Sequence, residues 1–362
     1  MTGAKIEKAR QAALQVVDRL SPDDIFSLVS YSDSADVLVS AQRVEDKANL
    51  RRQINRIEAG GSTALYAGVT TGASQIEEFI SNKRINRVIL LSDGLANRGP
   101  SSTRDLRRLG HDLSKKGIAV TTIGVGDDYN EDLMAGLAEA SDANYYYVQD
   151  TEKLPEIFAK ELGELLTIAA REVRIEVICP RGVKPIGFIG RPETFEDRKA
   201  SVKLSHLVTG QDRYVFLRCV VNEPEPEIAQ VKVTYADELE GGSEQSAFDT
   251  VRIRFTDDES VAAKSVNKAV VAEKNWYGSA VAKDEALAQA DAGNYRDAAE
   301  KLKVQADLLN SNWQNAPAEV QIQIRGEADN LYKRSKQLEQ GQYDPATRKQ
   351  MQSESWSLRN SK

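Results

Sequence analysis

The sequence predicts an α/β fold, a doubly wound and mainly parallel Rossmann-like sheet, followed by an antiparallel β-sandwich and a helical C-terminal region. Three observations carry this. Apolar strand-like runs alternate with amphipathic helices up to about residue 168, runs of period two follow to about 257, and an Ala-rich helical texture fills the rest. A chain of 362 residues exceeds one ordinary core, so several domains are expected. They are set at 1–168, 169–257 and 258–340, with a polar and mobile tail over 341–362.

The elements justify the class in order. Ile6, Ala9, Ala13, Val16, Val17 and Leu20 recur at helical spacing over 3–20, and Ser21-Pro22 ends the helix. Residues 25–31 read as a strand, and a Ser32-Asp33-Ser34 turn leads to a second strand near 36–40, as in a hairpin. Helical pattern returns over about 46–58 and 64–81. Arg87 to Leu91 is a short apolar run of the kind buried on both faces. A helix over 102–116 stops at Gly117, a strand covers 118–125, and a helix covers 130–140. Tyr145 to Val148 forms a last strand, and a helix over 151–168 closes the region.

Beyond residue 170 the alternation Val173-Arg174-Ile175-Glu176-Val177 is repeated in four further segments up to Phe255, which suits a half-buried antiparallel sandwich. The segment from 258 to Gly293-Asn294 is helical, a second helix runs from Tyr295 to about 310, and a third begins near Pro317. Gly293-Asn294-Tyr295 resembles the inter-helix turn of a tetratricopeptide repeat. One copy has no stacked neighbours, so a plain helical hairpin is preferred.

Composition excludes several function classes. Apolar residues at 41% and charged residues at 28% give a globular balance, and a net charge of −7 without a basic stripe argues against nucleic acid as a partner. No apolar run reaches the roughly 18 residues that a membrane span requires. Cys179 and Cys219 lie in strand-like runs and read as buried thiols, and His111 and His206 are too far apart in sequence to suggest zinc. Gly124-x-Gly126 lacks the third glycine and the lysine of a phosphate cradle, and no Gly-x-Ser-x-Gly elbow occurs. His111-Asp112 sits on a helix without clustered partners, so no enzyme is expected.

Two loops follow strands at the end of the sheet where α/β folds bind ligands: Gly60-Gly61-Ser62-Thr63-Ala64-Leu65 and Leu90-Leu91-Ser92-Asp93-Gly94. Together with the opening Met1-Thr2-Gly3-Ala4-Lys5-Ile6-Glu7, the run Thr122 to Asp128, Leu133, Ala138 and Tyr145-Tyr146, they resemble the von Willebrand factor A (VWA) domain over about residues 1–168. The order of parts is similar to bacterial proteins of that family, homologues of calcium-activated chloride channel proteins.

The resemblance implies a metal-ion-dependent adhesion site for Mg²⁺ or a similar divalent cation. Thr63 would be the second-loop hydroxyl ligand and Asp93 the third-loop carboxylate. Gly61, Ser62, Gly94 and Leu95 would frame the partner-binding face, and a protein partner presenting an acidic residue would complete the shell. Thr63 also reads as a helix N-cap and Asp93 as a turn residue. Ser32-Asp33-Ser34-Ala35-Asp36 fails the family's Asp-x-Ser-x-Ser spacing and reads as turn chemistry.

That first loop, with the central strand before it, has no counterpart in the sequence, so weak or absent Mg²⁺ binding is expected. Strands 25–31 and 87–92 would then lack their shared neighbour. Three resolutions stand open: a strand encoded upstream of Met1, which is preferred, donation of a strand by another chain, or direct closure of the flanking strands. The compartment stays open too, cytoplasmic for a complete chain and periplasmic or surface-exposed if an upstream signal is missing. The expected function is a non-catalytic adhesion module. The alternative is a scaffold with a vestigial ion site that binds partners through its C-terminal helices.

Overall fold

The computed structural model describes all residues except 82–83, 166, 191–193, 205, 211–212, 224–225 and 361–362. Two compact units emerge, one of residues 1–171 with 237–243, the other of 172–236 with 244–362.

In the first unit, helix α1 (Ala4–Arg19) leads into strands β1 (Ile25–Tyr31) and β2 (Ala35–Arg43) and helices α2 (Lys47–Ile54) and α3 (Leu65–Ile76). Strand β3 (Asn86–Ser92), helix α4 (Thr103–Lys115), strand β4 (Ile118–Val125), helix α5 (Glu131–Ala140), strand β5 (Tyr145–Val148) and helix α6 (Leu154–Leu165) complete it. Capping fixes where helices begin: Ser102 accepts from the Asp105 N–H and Asn130 from the Leu133 N–H. Gly117, at φ 74°, turns the chain after α4 into β4.

Strands β3, β4 and β5 form a parallel sheet, paired from Asn86 with Ile118 to Ser92 with Gly124, and from Thr122 with Tyr145 to Val125 with Val148. Alternate residues face opposite layers. Ile89, Leu91, Ile123, Val125 and Val148 pack under Ala12 and Val16 of α1 and Leu154 and Phe158 of α6. On the other face Val88 meets Gly72 of α3, and the Thr122 hydroxyl bonds the Met134 carbonyl of α5. This is the doubly wound arrangement read from the sequence.

Strands β1 and β2 form a separate antiparallel hairpin, with Phe26 and Leu28 packed on Val17, Val39, Val44, Leu50 and Ile54. Among the described residues no ladder joins β1 to β3. Closure of the flanking strands onto each other, one of the expected resolutions, is therefore not what the structure adopts. Side chains tie the two instead. Near their starts Arg84 donates to the Asp23 carbonyl at 3.1 Å, and at their ends Tyr31 Oη donates to the Leu91 carbonyl at 2.8 Å. A cavity of about 460 Å³ lies between them.

The second unit carries the remainder of β6 (Ile168–Ile178), then β7 (Val183–Phe188), β8 (Thr194–Glu196), β9 (Lys199–Lys203), β10 (His206–Val208), β11 (Leu217–Val221), β12 (Glu227–Asp237) and β13 (Ser243–Arg252). One sheet has the order β13-β12-β6-β9-β8 with β10 beside β6, and β7 pairs antiparallel with β11. Val177, Cys179, Val183, Phe188, Ala200 and Val202 make the core. Cys179 is buried as expected, whereas Cys219 is exposed. Cys219 nonetheless bonds the buried Cys179 thiol.

Helices α7 (Glu259–Ser265), α8 (Lys268–Asp291), α9 (Tyr295–Asn312), α10 (Ala318–Glu339) and α11 (Pro345–Asn360) follow. Strands of 172–236 and these helices belong to one compact unit. Phe216 of the strand region lies 5.9 Å from Tyr277 of α8, ring centre to ring centre. The predicted tail over 341–362 also needs correction. Its polar composition hides Thr347, Met351 and Ser355, spaced by four, which form the buried stripe of α11. Ser355 donates to the Ala280 carbonyl and to Asp284 of α8, so the expected hairpin grows into a bundle.

Candidate functional site

The loops after β1 and β3 and the loop before α3 converge at the carboxyl ends of those strands. Their local geometry depends on glycine: Gly61 adopts φ 72°, and a Cβ there would stand 2.8 Å from Ser32 Cβ. Any other side chain would push apart the 32–34 turn and the 60–63 loop. The Ala64 N–H donates to the Ser32 carbonyl at 2.8 Å, locking the same two loops.

Thr63 is held by a reciprocal pair of bonds. Its N–H donates to Asn97 Oδ1 at 2.8 Å, and the Asn97 N–H donates to its carbonyl at 3.2 Å. Its hydroxyl lies 3.2 Å from where a Cβ on Gly94 would sit, next to Asp93. The structure thus brings Thr63 against the Asp93-Gly94 loop, with Gly61 and Ser62 preceding Thr63 on its own loop and Leu95 59% exposed. Thr63 does not cap α3. Ala64 occupies that position, and no side-chain cap bond forms.

The electrostatics differ from those of an open cation site. The Asp93 carboxylate lies 3.6 Å from the Lys5 ammonium. Magnesium takes about six oxygens and keeps several waters. Thr63 and Asp93 would supply one hydroxyl and one carboxylate, and the carboxylate faces Lys5. Among the described residues no cluster of three or more His, Cys, Asp or Glu could hold a metal.

Sequence reading missed several residues of this face. Asp33, dismissed as turn chemistry, accepts the Ser62 N–H at 3.3 Å, and its bonds with Ser62 hold its carboxyl below the usual range. Arg98 lies 3.6 Å from Asp33 and reaches Ser62 Oγ at 3.4 Å. The signal available for Asp33 was its place directly after a strand, at the sheet end where loops gather. Nothing local in the sequence singled out Asn97 or Arg98.

Behind the face, Tyr31 packs on α3, where a Cβ on Gly68 would meet its ring at 2.8 Å. Burial pushes its phenol up to about 12. Deeper in the cleft, Arg87 pairs with Glu161 at 2.9 Å. Burial alone would raise that carboxyl, but Arg87, Thr121, Tyr146 and Asn144 hold it below the ordinary glutamate range.

With this geometry in place, residues 1–160 match the family model for the von Willebrand factor type A domain. An uncharacterized protein of Synechocystis, sll0103, is 26% identical over 257 residues, covering 67% of this chain and 60% of that protein. Uncharacterized protein YfbK of Escherichia coli is 24% identical over 182 residues, covering 49% of this chain and 32% of that one. The chain therefore spans less than two thirds of either relative. Two solved structures share the fold at 18% identity. A von Willebrand factor type A protein from Catenulispora acidiphila has a TM-score of 0.68, with 91% of this chain and 84% of that one covered. The ArnB paralog VWA2 from Sulfolobus acidocaldarius has a TM-score of 0.60, with 98% and 83% covered.

Proposed function

Given that residues 1–160 are a von Willebrand factor type A domain, we propose that the chain is a non-catalytic protein-interaction module whose binding face is the loop cluster of Gly61, Ser62, Thr63, Asp93, Gly94 and Leu95. The observation carrying this reading is the convergence of Thr63 Oγ1 and the Asp93-Gly94 loop, with an exposed Leu95 beside them. A hydroxyl, a carboxylate and an apolar rim residue on rigid loops suit capture of a polar partner side chain with an apolar border. The partner presents an acidic residue, which Arg98, 60% exposed on its side chain, would attract at the rim. Divalent cations contribute weakly here, because Asp93 is shared with Lys5.

The test is capture of native partners by the immobilised chain, with and without chelator and with the paired variant Thr63→Ala/Leu95→Ala. Partners lost with the paired variant support the reading. Capture that the paired variant leaves intact would defeat it.

A second reading has its own observation. Val304 and Leu308, four apart on α9, are 49% and 43% exposed, an apolar stripe on the helical bundle. A scaffold docking partners there would keep them in the loop variant and lose them on Val304→Ser/Leu308→Ser.

A further inference from the structure

The two sheets of the second unit meet at a pair of sulfurs. Cys179 directly follows β6, and its N–H donates to the Arg198 carbonyl at 2.9 Å, which carries the β6–β9 ladder one residue further. Cys219 lies in β11, which pairs with β7 in the smaller sheet. Alternation along β11 puts Cys219 on the side of Leu217, which packs against the core that contains Cys179. The register slips between Arg218 and Cys219, with the extra residue, Ile186, on β7, so β11 itself keeps its alternation. The chain's two cysteines, far apart in sequence, thus come to share a hydrogen bond between their thiols.

They differ in access. Cys179 is 1% exposed, whereas Cys219 is exposed. A small oxidant in solution reaches one and not the other, which is the arrangement of a reacting thiol beside a resolving one. A thiol is a weak donor, so the bond between them adds little to the fold, and what the placement offers is chemistry.

We propose that Cys179 and Cys219 are a redox-controlled modification site, which closes to a disulfide between the two sheets when a low-molecular-weight disulfide such as oxidised glutathione is present, and opens on reduction. Cys219 loses its proton, and its thiolate attacks the small disulfide, forming a mixed disulfide and releasing one small thiolate. Cys179 then loses its proton and attacks Cys219 Sγ, expelling the second. Two protein thiols are oxidised, one small disulfide is reduced to two thiols, and the protein's thiol protons end on the leaving groups. Burial raises both thiols above the usual cysteine range, Cys179 to about 11. Thiolate is therefore scarce at neutral pH, and the exchange is slow there and quickens with alkali. The bridge closes a loop of about 40 residues, long enough to stabilise the unit by restricting its unfolded chain.

The experiment treats the full chain with oxidised glutathione and follows it by intact mass, peptide mapping without reductant and thermal unfolding. Both thiols should disappear, with no glutathione retained and with a peptide that joins Cys179 to Cys219. The rate of thiol loss should rise severalfold from about pH 7 to about pH 8. The oxidised chain should melt about 5 °C or more above the same chain after dithiothreitol. In Cys219→Ser the buried Cys179 should stay a thiol, and the melting temperature should not respond to the oxidant. Glutathione held on Cys219, thiols that still titrate after denaturation, bridges between chains, or a melting temperature that oxidation leaves unchanged or lowers would each overturn the proposal. The site belongs to the second unit, so its outcome does not bear on the loop face.

Discussion

The phenol of Tyr31 donates a 2.8 Å hydrogen bond to the carbonyl of Leu91 and so joins two strands that, among the described residues, share no ladder. Tyr31→Phe removes the donor and leaves a half-buried carbonyl unmet. A loss of about 1–3 kcal/mol in urea unfolding is expected, with the fold retained by circular dichroism.

The same ring dictates its neighbour on α3. A methyl on Gly68 would sit 2.8 Å from Tyr31 Cγ, and the ring, tethered at its hydroxyl, has little room to retreat. Gly68→Ala should cost about 1–3 kcal/mol, despite the better helix propensity of alanine. A stabilised Gly68→Ala variant in thermal unfolding would contradict this packing.

Alkali should find the next weakness. Burial pushes Tyr31 up to about 12 from 10.0, and burial together with Cys219 pushes the Cys179 thiol up to about 11 from 9.0. Groups whose folded values are raised contribute stability that is complete below the unfolded values and is lost as pH rises through the folded ones. The urea midpoint should therefore hold steady up to about pH 9 and fall between 9 and 12. Cys179→Ala should soften the early part of that fall, measured as midpoint against pH.

Acid acts on the opposite sign. Glu161 is fully buried, and its carboxyl is held below the ordinary 4.5 by Arg87 and three hydrogen-bonding neighbours, which outweigh the effect of burial. Its contribution is present above 4.5 and is lost as pH falls through the lowered folded value. Glu161→Gln strands the Arg87 charge and should cost about 3–5 kcal/mol in urea unfolding near neutral pH. The same variant should flatten the acid limb.

At the loop face, calorimetric titration with MgCl₂ should give no saturable heat below about millimolar, since a strongly hydrated ion needs more oxygens than Thr63 and Asp93 provide. Tight binding abolished by Thr63→Ala would refute this.

Much of the first unit was legible because its strands carry strong local signals. Arg87 to Leu91 and Ile118 to Val125 are short apolar runs bounded by turns, and the helices between them have caps visible in the sequence, such as Ser102 and Asn130. The approach of Thr63 to Gly94 joins two separated loops that share a family pattern. What stayed hidden depends on contacts between distant segments. Asp33 gains its role only when Gly61 brings the 60–63 loop against it. Helix α11 stayed hidden for a different reason. Its buried stripe is Thr347, Met351 and Ser355, of which one residue alone is apolar, so a hydrophobic count sees a polar tail.

The helical region makes the same point about buried charge. Lys283 is fully buried between Glu327 at 2.8 Å and Glu354 at 3.0 Å, and Arg334 also reaches Glu354. A lysine in an Ala-rich helix reads as a solvated face, yet here it holds α10 and α11 to α8.

Among the described residues, the hairpin of β1 and β2 touches the parallel sheet through side chains and shared helices rather than through a continuous backbone ladder. Such a boundary divides a small domain into blocks that can breathe at different rates. Strain applied across the molecule would concentrate along that line, and the hairpin would peel away as a piece before the interior strands lost their order.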